Sequence, residues 1–126
     1  MLSFCAGIPL ERGISPASRQ NVIALVEDPF IRKYLRDILL RHGYAVTESQ
    51  ANRVIQELQS ENSRIDLVIT NSPADFLAFA KWLPILYLAA APDLELASRF
   101  LVCRVLQKPF RSEALMEAVR DLTGTV

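Results

Sequence analysis

Charged and polar side chains follow several of the short apolar runs in this sequence. Glu27 and Asp28 come directly after NVIALV, Asn71 comes directly after IDLVIT, and Lys108 follows CRVLQ and precedes a proline. An acidic pair, a third polar residue and a lysine can together hold Mg²⁺ and a phosphoryl group. The sequence therefore contains the parts of a phosphate-binding pocket, provided that the fold brings these positions together.

The apolar runs have the length and composition of buried strands. NVIALV is continuous and rich in β-branched residues, which is typical of a strand covered on both faces of a parallel sheet. Four further segments predict strands: YAVTES, IDLVIT, PILYLAA and CRVLQ.

Segments with helical spacing separate these strands. In the first, Asp28 is a candidate N-cap, Pro29 stands at the first helical position and Gly43 marks the end. Its predicted apolar face is Ile31, Tyr34, Leu35, Ile38 and Leu39. The second helix has a face of Ala51, Val54, Ile55 and Leu58, and DFLAFAKW predicts a short third helix. Asp93 caps a fourth helix with a predicted face of Leu94, Ala97, Phe100 and Leu101, and SEALMEAVRDL forms the fifth.

Five strands alternating with five helices predict an α/β fold, a doubly wound five-stranded parallel sheet with helices on both faces. Ligands bind such sheets outside the carboxyl ends of the strands, near the point where the strand order reverses. The residues expected to converge there are Glu27, Asp28, Asn71, Ala89 and Lys108.

Length and composition limit the function classes. We expect an irregular arm over residues 1–20 and one domain over residues 21–126, because only the latter shows strand and helix periodicity. Lys plus Arg and Asp plus Glu both number 14, so no global field favours nucleic acid or an anionic membrane. Cys5 and Cys103 lack metal-ligand spacing, and the apolar start is too short to span a membrane, which together predict a cytoplasmic protein with reduced thiols.

Three segments resemble those of response-regulator receiver domains, the CheY-like superfamily. LVEDPFIRKYL resembles the acidic end of the first strand, DLVITN the segment that ends in the acceptor aspartate, and LQKPF the lysine-proline signature. The resemblance covers about residues 21–122 and implies a flavodoxin-like (βα)5 receiver fold. It assigns Glu27 and Asp28 to the acidic metal-binding pair and Lys108 to the phosphate contact.

At other positions the sequence departs from the family, as in a degenerate pseudo-receiver. Asn71 stands at the acceptor position, where an amide cannot act as the nucleophile that forms an acyl phosphate. Ala89, at the switch position, has no hydroxyl to bind a phosphoryl oxygen, and Val105 replaces the usual aromatic switch residue. Because Ser72 to Lys81 is only ten residues long, we expect a truncated or distorted third helix.

Simpler structural roles exist for the same residues. Asp28 and Glu27 can stabilise the start of the first helix without any metal, and we favour this over weak Mg²⁺ binding. Lys108 can form an ion pair with the acidic residues, and His42 fits a helix end without a catalytic role. Phe76, Phe79 and Trp82 are core candidates, or an exposed patch if the short helix leaves them uncovered.

These features predict a non-enzymatic signalling domain of two-component type that acts through protein contacts without phosphorylation. The expected partners are a sensor kinase, a phosphotransfer protein, a regulator or a second copy, the last through the fourth helix, fifth strand and fifth helix. That surface carries Arg99, Arg104, Arg111, Glu113, Glu117, Arg120 and Asp121. The alternative is a Mg²⁺-dependent phosphohydrolase or a nucleotide-binding flavodoxin-like protein, although the sequence has no glycine-rich phosphate loop.

Overall fold

A computed structural model describes residues 21–124 of the chain. The arm predicted for residues 1–20, with Cys5, lies outside the described residues, as do the last two positions of the predicted domain. None of the helices within residues 21–124 combines the length and the apolar character that crossing a membrane requires.

The described strands form one five-stranded sheet in which every neighbouring pair is parallel. The strands are β1 (Val22–Val26), β2 (Ala45–Glu48), β3 (Ile65–Thr70), β4 (Ile85–Ala89) and β5 (Cys103–Gln107). Their order is β2-β1-β3-β4-β5, which reverses between β1 and β3. The predicted doubly wound parallel sheet is therefore confirmed, and the reversal identifies the edge where a ligand would bind.

Helical segments connect the strands as predicted, although two of them are short. The helices are α1 (Pro29–Arg41), α2 (Ala51–Leu58), α3 (Leu94–Ala97) and α4 (Ser112–Thr123), and a 3₁₀ helix (Pro73–Phe79) lies between β3 and β4. Thus α3 and α4 are the fourth and fifth of the five predicted helices. The positive φ of Gly43, 88°, lets the chain turn after α1, which confirms the predicted end of that helix.

The connection between β3 and β4 is distorted, as its length predicts. It forms a 3₁₀ helix whose Phe76 has a non-helical backbone, with φ −114° and ψ 17°. Phe76 and Phe79 are nonetheless buried, while Trp82 is 53% exposed. Phe76 and Phe79 are therefore core residues, as one alternative predicts, whereas Trp82 is exposed, as the other predicts.

The apolar face predicted for the fourth helix is wrong in part. Asp93 caps the helix as predicted, since its Oδ1 accepts a hydrogen bond of 3.1 Å from Leu96 N, but α3 ends after one turn. Ala97 and Phe100 are buried, whereas Leu94 and Leu101 are exposed. The helix cannot extend to Leu101, because the Leu101 N–H donates instead to Ala80 O at 2.9 Å.

The sheet separates two apolar layers. One face packs against α1 and α4, with Leu35 and Leu115 fully buried, and the other packs against α2 and the 3₁₀ helix, with Val54 and Phe76 buried. On α1 the predicted apolar face is correct except at Tyr34, which is 44% exposed at the rim. Both faces of β1 are covered, so the strand positions Glu27 firmly at the carboxyl edge of the sheet.

Candidate functional site

Strand register brings the predicted site residues to the same edge of the sheet. Val26 at the end of β1 pairs with Thr70 at the end of β3. Glu27 and Asn71 are the residues that follow this pair, at the point where the strand order reverses. Ala89 pairs with Gln107, which places Lys108 one residue beyond the end of β5. The sequence therefore located this edge correctly.

Glu27 is the only charged residue that is buried within residues 21–124. Its Oε1 accepts hydrogen bonds from the Asp28 N–H at 3.2 Å and from Lys108 Nζ at 3.4 Å. Its Oε2 lies 3.3 Å from Lys108 Nζ but accepts no hydrogen bond from the described residues. Both oxygens therefore face one ammonium group, and Oε2 keeps an unused acceptor.

The ion pair between Glu27 and Lys108 spans the width of the pocket. β1 and β5 are separated by β3 and β4, which amounts to three strand spacings, or about 14 Å. The Lys108 N–H donates to Ala89 O at 2.9 Å, which fixes the start of the side chain at the end of β4. The lysine side chain must therefore reach across the carboxyl ends of β4 and β3 to contact Glu27.

Burial dominates the electrostatics of Glu27. Loss of hydration raises the pKa of the Glu27 carboxyl above its ordinary value of 4.5, although the nearby Lys108 ammonium and the Asp28 N–H both act to lower it. The side chain of Glu27 is fully buried and that of Lys108 is 23% exposed. The Lys108 ammonium thus favours the ionised form of Glu27, against the effect of burial.

Asp28 has a structural role separate from this ion pair. It is exposed, and its Oδ1 accepts a hydrogen bond of 3.3 Å from Ile31 N at the start of α1, with Pro29 in the first turn. The predicted N-cap is therefore confirmed. The prediction that Lys108 pairs with the acidic residues holds for Glu27, the partner in the contacts at 3.3 and 3.4 Å.

Asn71 is exposed in the bend that follows β3. The preceding Thr70 is fully buried, and its Oγ1 accepts a hydrogen bond of 3.0 Å from the Ser72 N–H. This bond ties the two residues that flank Asn71 and so fixes the local chain. An exposed amide at this position offers a carbonyl oxygen and an NH₂ group, but no carboxylate.

The two predicted switch positions lie on neighbouring strands. Ala89 is partly buried at the end of β4, and Val105 is partly buried within β5, where it packs against the apolar layer that includes Tyr87. Neither side chain has a polar atom. The chain just after β4 is held instead by the Gln107 side chain, whose Nε2 donates a hydrogen bond of 3.0 Å to Ala90 O.

A resident Mg²⁺, which the receiver resemblance implies, does not fit this arrangement of donors. Mg²⁺ requires several oxygen ligands in near-octahedral geometry. Both Glu27 oxygens face the Lys108 ammonium, and the one hydrogen bond found for the Asp28 carboxylate is to the backbone of α1. Within residues 21–124, no three His, Cys, Asp or Glu side chains are grouped so as to hold a metal ion.

An apolar cleft beside the ion pair was not foreseen from the sequence. It has a volume of about 390 Å³ and is lined by Ile31, Tyr34, Ala90, Lys108, Pro109 and Phe110. Phe30, which precedes the lining residue Ile31 in sequence, is 91% exposed. The signal that points to it is the spacing on α1, since Phe30 lies outside the stripe of apolar residues that packs on the sheet.

The surface predicted for a twofold dimer carries charges that are partly used within the chain. Arg104 on β5 forms an ion pair with Asp121 on α4, and both side chains are well exposed. Arg99, Arg111, Glu113 and Glu117 are also exposed. Because α3, the fourth of the predicted helices, has only one turn, it adds little to this surface.

Comparisons with known proteins place the fold. No protein-family model matches the sequence, and no curated protein sequence matches it. Among solved structures, the chain is similar to the signal receiver domain of an HD domain-containing protein from Pseudomonas fluorescens Pf-5, with a TM-score of 0.70 and 24% identity over 84% of this chain and 96% of that chain.

Two other solved structures give a consistent result. A response regulator receiver protein from Burkholderia phymatum has a TM-score of 0.70 and 18% identity, covering 85% of this chain and 98% of its own. The chemotaxis response regulator CheY4 of Vibrio cholerae has a TM-score of 0.66 and 21% identity, covering 83% of this chain and 99% of its own. The chain therefore has the fold of response regulator receiver domains, the fold that its three sequence segments predict.

Proposed function

We propose that this chain is a receiver-like signalling domain of two-component type that acts through protein contacts and is not phosphorylated at position 71. The observation that carries the proposal is the Glu27–Lys108 ion pair at the edge of the sheet where Asn71 supplies an amide. An aspartate in this place would supply the nucleophile for an acyl phosphate, and Asn71 supplies none.

The ion pair supports a pocket with a fixed charge state. A phosphate bound by the Lys108 ammonium would compete with Glu27, whose side chain is fully buried. Removing one partner from a buried pair leaves an uncompensated charge, which is strongly unfavourable. The pocket is thus better suited to holding one conformation than to switching between two.

The cleft between α1 and the segment after β5 supports a role in protein binding. Tyr34, which lines the cleft, exposes aromatic surface, and aromatic side chains are enriched where proteins bind one another. The cleft also includes Lys108, so a protein bound there would contact the residue that holds Glu27. We infer that a sensor kinase, a phosphotransfer protein or a regulator binds here, and that a second copy of the chain is the alternative partner.

Chemical phosphorylation tests the first half of the proposal. The protein is incubated with Mg²⁺ and acetyl phosphate, and its intact mass is recorded, with Asn71→Asp as the matched variant that restores a carboxylate. We expect no adduct on the unaltered protein. A stable adduct of one phosphoryl group that maps to the pocket would refute the proposal.

Affinity capture tests the second half. The tagged protein, Tyr34→Ser and Leu40→Ser are compared in quantitative capture from native lysate, since Tyr34 lines the cleft and is 44% exposed. Leu40 is the control, because it is also on α1 and is 52% exposed but is not among the residues that line the cleft. Proteins that bind through the cleft are retained by the Leu40 variant and lost from the Tyr34 variant. Identical protein sets for all three baits would contradict the proposed surface.

A further inference from the structure

A second apolar surface lies at the opposite edge of the sheet from Glu27 and Lys108. It is formed where the chain enters β4 and β5, and its exposed members are Trp82, Leu101 and Val102, with exposed fractions of 53%, 76% and 38%. We call these three residues the amino-edge patch. Because it is remote from Glu27 and Lys108, its role does not depend on the function proposed above.

Backbone contacts hold the parts of the amino-edge patch together. Leu101 N donates to Ala80 O at 2.9 Å, and Ile85 N donates to Val102 O at 3.0 Å. The ring of Trp82 stands edge-on to the buried Phe79, with ring centroids 5.7 Å apart. The patch is therefore a preorganised surface in which an aromatic residue is fixed by the core, as in many energetically important interface sites.

A concave site adjoins the patch, and its charge has one sign. A cavity of about 480 Å³ is lined by Ala80, Lys81, Ser98, Arg99, Phe100 and Leu101. The described residues of the lining include two cations and no carboxylate. Within residues 21–124, neither Lys81 nor Arg99 takes part in any of the ion pairs found, all of which involve other residues.

The short α3 explains why this surface is open. The helix ends at Ala97, and the chain then turns back to Ala80, which leaves Leu101 and Val102 outside the packed layer. Among the described residues, nothing covers this apolar surface and the two neighbouring cations have no ion-pair partner, so the surface has the character of an interface. The cations and apolar residues of the lining indicate which kind of partner would be complementary.

We propose that the amino-edge patch and its cavity bind an acidic segment of a partner protein, in which an aliphatic or aromatic side chain is flanked by carboxylates. The apolar side chain packs on Trp82 and Leu101, and the carboxylates pair with Lys81 and Arg99. Residues 1–20 of this chain fit less well, because they carry one acidic residue, Glu11, and two basic residues, Arg12 and Arg19. Opposite charges on the two sides also accelerate association.

The single tryptophan of the chain makes the test direct, because Trp82 is the only source of tryptophan fluorescence. The probe is the tryptophan-free peptide acetyl-EDLLEDFLEE-amide, added to the full chain while the emission maximum and acrylamide quenching are recorded. The control peptide carries lysine in place of every acidic residue. We expect a saturable blue shift and protection from acrylamide with the acidic peptide only.

Three variants separate the contributions. Lys81→Glu and Leu101→Ser are each expected to weaken peptide binding about tenfold. Lys33→Glu, an equal charge change at an exposed position of α1, is expected to leave binding unchanged. Added salt should weaken binding to the unaltered chain and have less effect on Lys81→Glu, since exposed ion pairs are screened.

The remaining outcomes overturn the proposal. It fails if the acidic peptide gives no saturable response up to about 1 mM, an affinity of about −4 kcal/mol. It also fails if the lysine peptide binds equally well, or if vesicles of phosphatidylglycerol and phosphatidylcholine shift the emission at least as strongly as the peptide. A concentration-dependent blue shift that accompanies a doubling of mass in light scattering would assign the surface to a second copy instead.

Discussion

Replacing Lys108 by methionine tests the electrostatic argument at the centre of the pocket. The substitution keeps an aliphatic side chain but removes the ammonium that contacts both oxygens of the buried Glu27 carboxylate. Glu27 then either remains ionised without its cation or takes up a proton. The second route limits the cost, because the carboxyl escapes its unfavourable charge by titrating.

The magnitude follows from the titration. Holding a proton at pH 7 on a group with an ordinary pKa of 4.5 costs about 3.4 kcal/mol relative to the unfolded chain. Part of this cost is already present in the unaltered protein, since burial raises the pKa of Glu27. We therefore expect Lys108→Met to lower the free energy of unfolding by about 1 to 3 kcal/mol at pH 7.

The pH dependence has a definite sign. Without Lys108 the pKa of Glu27 in the folded state rises further, so between pH 4.5 and the folded pKa the folded chain holds a proton that the unfolded chain has lost. Stability therefore falls as the pH rises through this window. Below pH 4.5 the carboxyl is protonated in both states, and the destabilisation should largely disappear.

Urea unfolding with EDTA at several pH values measures this, with Trp82 fluorescence as the signal. Arg104→Met is the matched control, because it breaks an exposed ion pair with Asp121 and should cost at most about 1 kcal/mol. Combining Glu27→Gln with Lys108→Met should remove the pH dependence of the single variant. The reasoning is refuted if Lys108→Met lowers the free energy of unfolding by the same amount at pH 4 and pH 7, or by no more than the control does.

Four further predictions concern the site and the core. Asn71→Asp should increase Mg²⁺ affinity in calorimetry, since it adds a carboxylate, yet beryllofluoride should cause no domain-wide change in its amide spectrum because Ala89 and Val105 remain. Asp28→Ala should lower the free energy of unfolding by about 1 kcal/mol in urea through loss of the helix cap. Phe76→Ala should lower it by about 3 to 5 kcal/mol, because the ring is fully buried. We expect no Mg²⁺-dependent hydrolysis of an aryl phosphate, and turnover that is abolished by Glu27→Gln would favour the enzymatic alternative.

The sheet could be predicted from the sequence because its signals are local. Each strand is a short apolar run, and the start and end of α1 follow from Asp28, Pro29 and Gly43. The carboxyl-edge location of Glu27 and Lys108 then follows from the parallel topology alone. These features need no knowledge of tertiary contacts.

The errors occurred where tertiary contacts outweighed periodicity. Leu101 has the right spacing for the fourth helix, yet its N–H is bound by Ala80 on another segment, so the helix ends early. Tyr34 also fits a helical stripe but lies at the rim of a cleft that forms only when the segment after β5 folds beside α1. Likewise, the choice of Glu27 over Asp28 as the partner of Lys108 depends on which carboxylate caps the helix.

The most direct test of the account is the amide NMR spectrum of the unaltered full chain, titrated with beryllofluoride in the presence of Mg²⁺. We expect no saturable shifts, because Asn71 offers no carboxylate to hold the phosphoryl analogue and Lys108 is engaged with Glu27. Saturable shifts that spread from Asn71 through Ala89 to β5 would contradict it, since they would show a working phosphate switch.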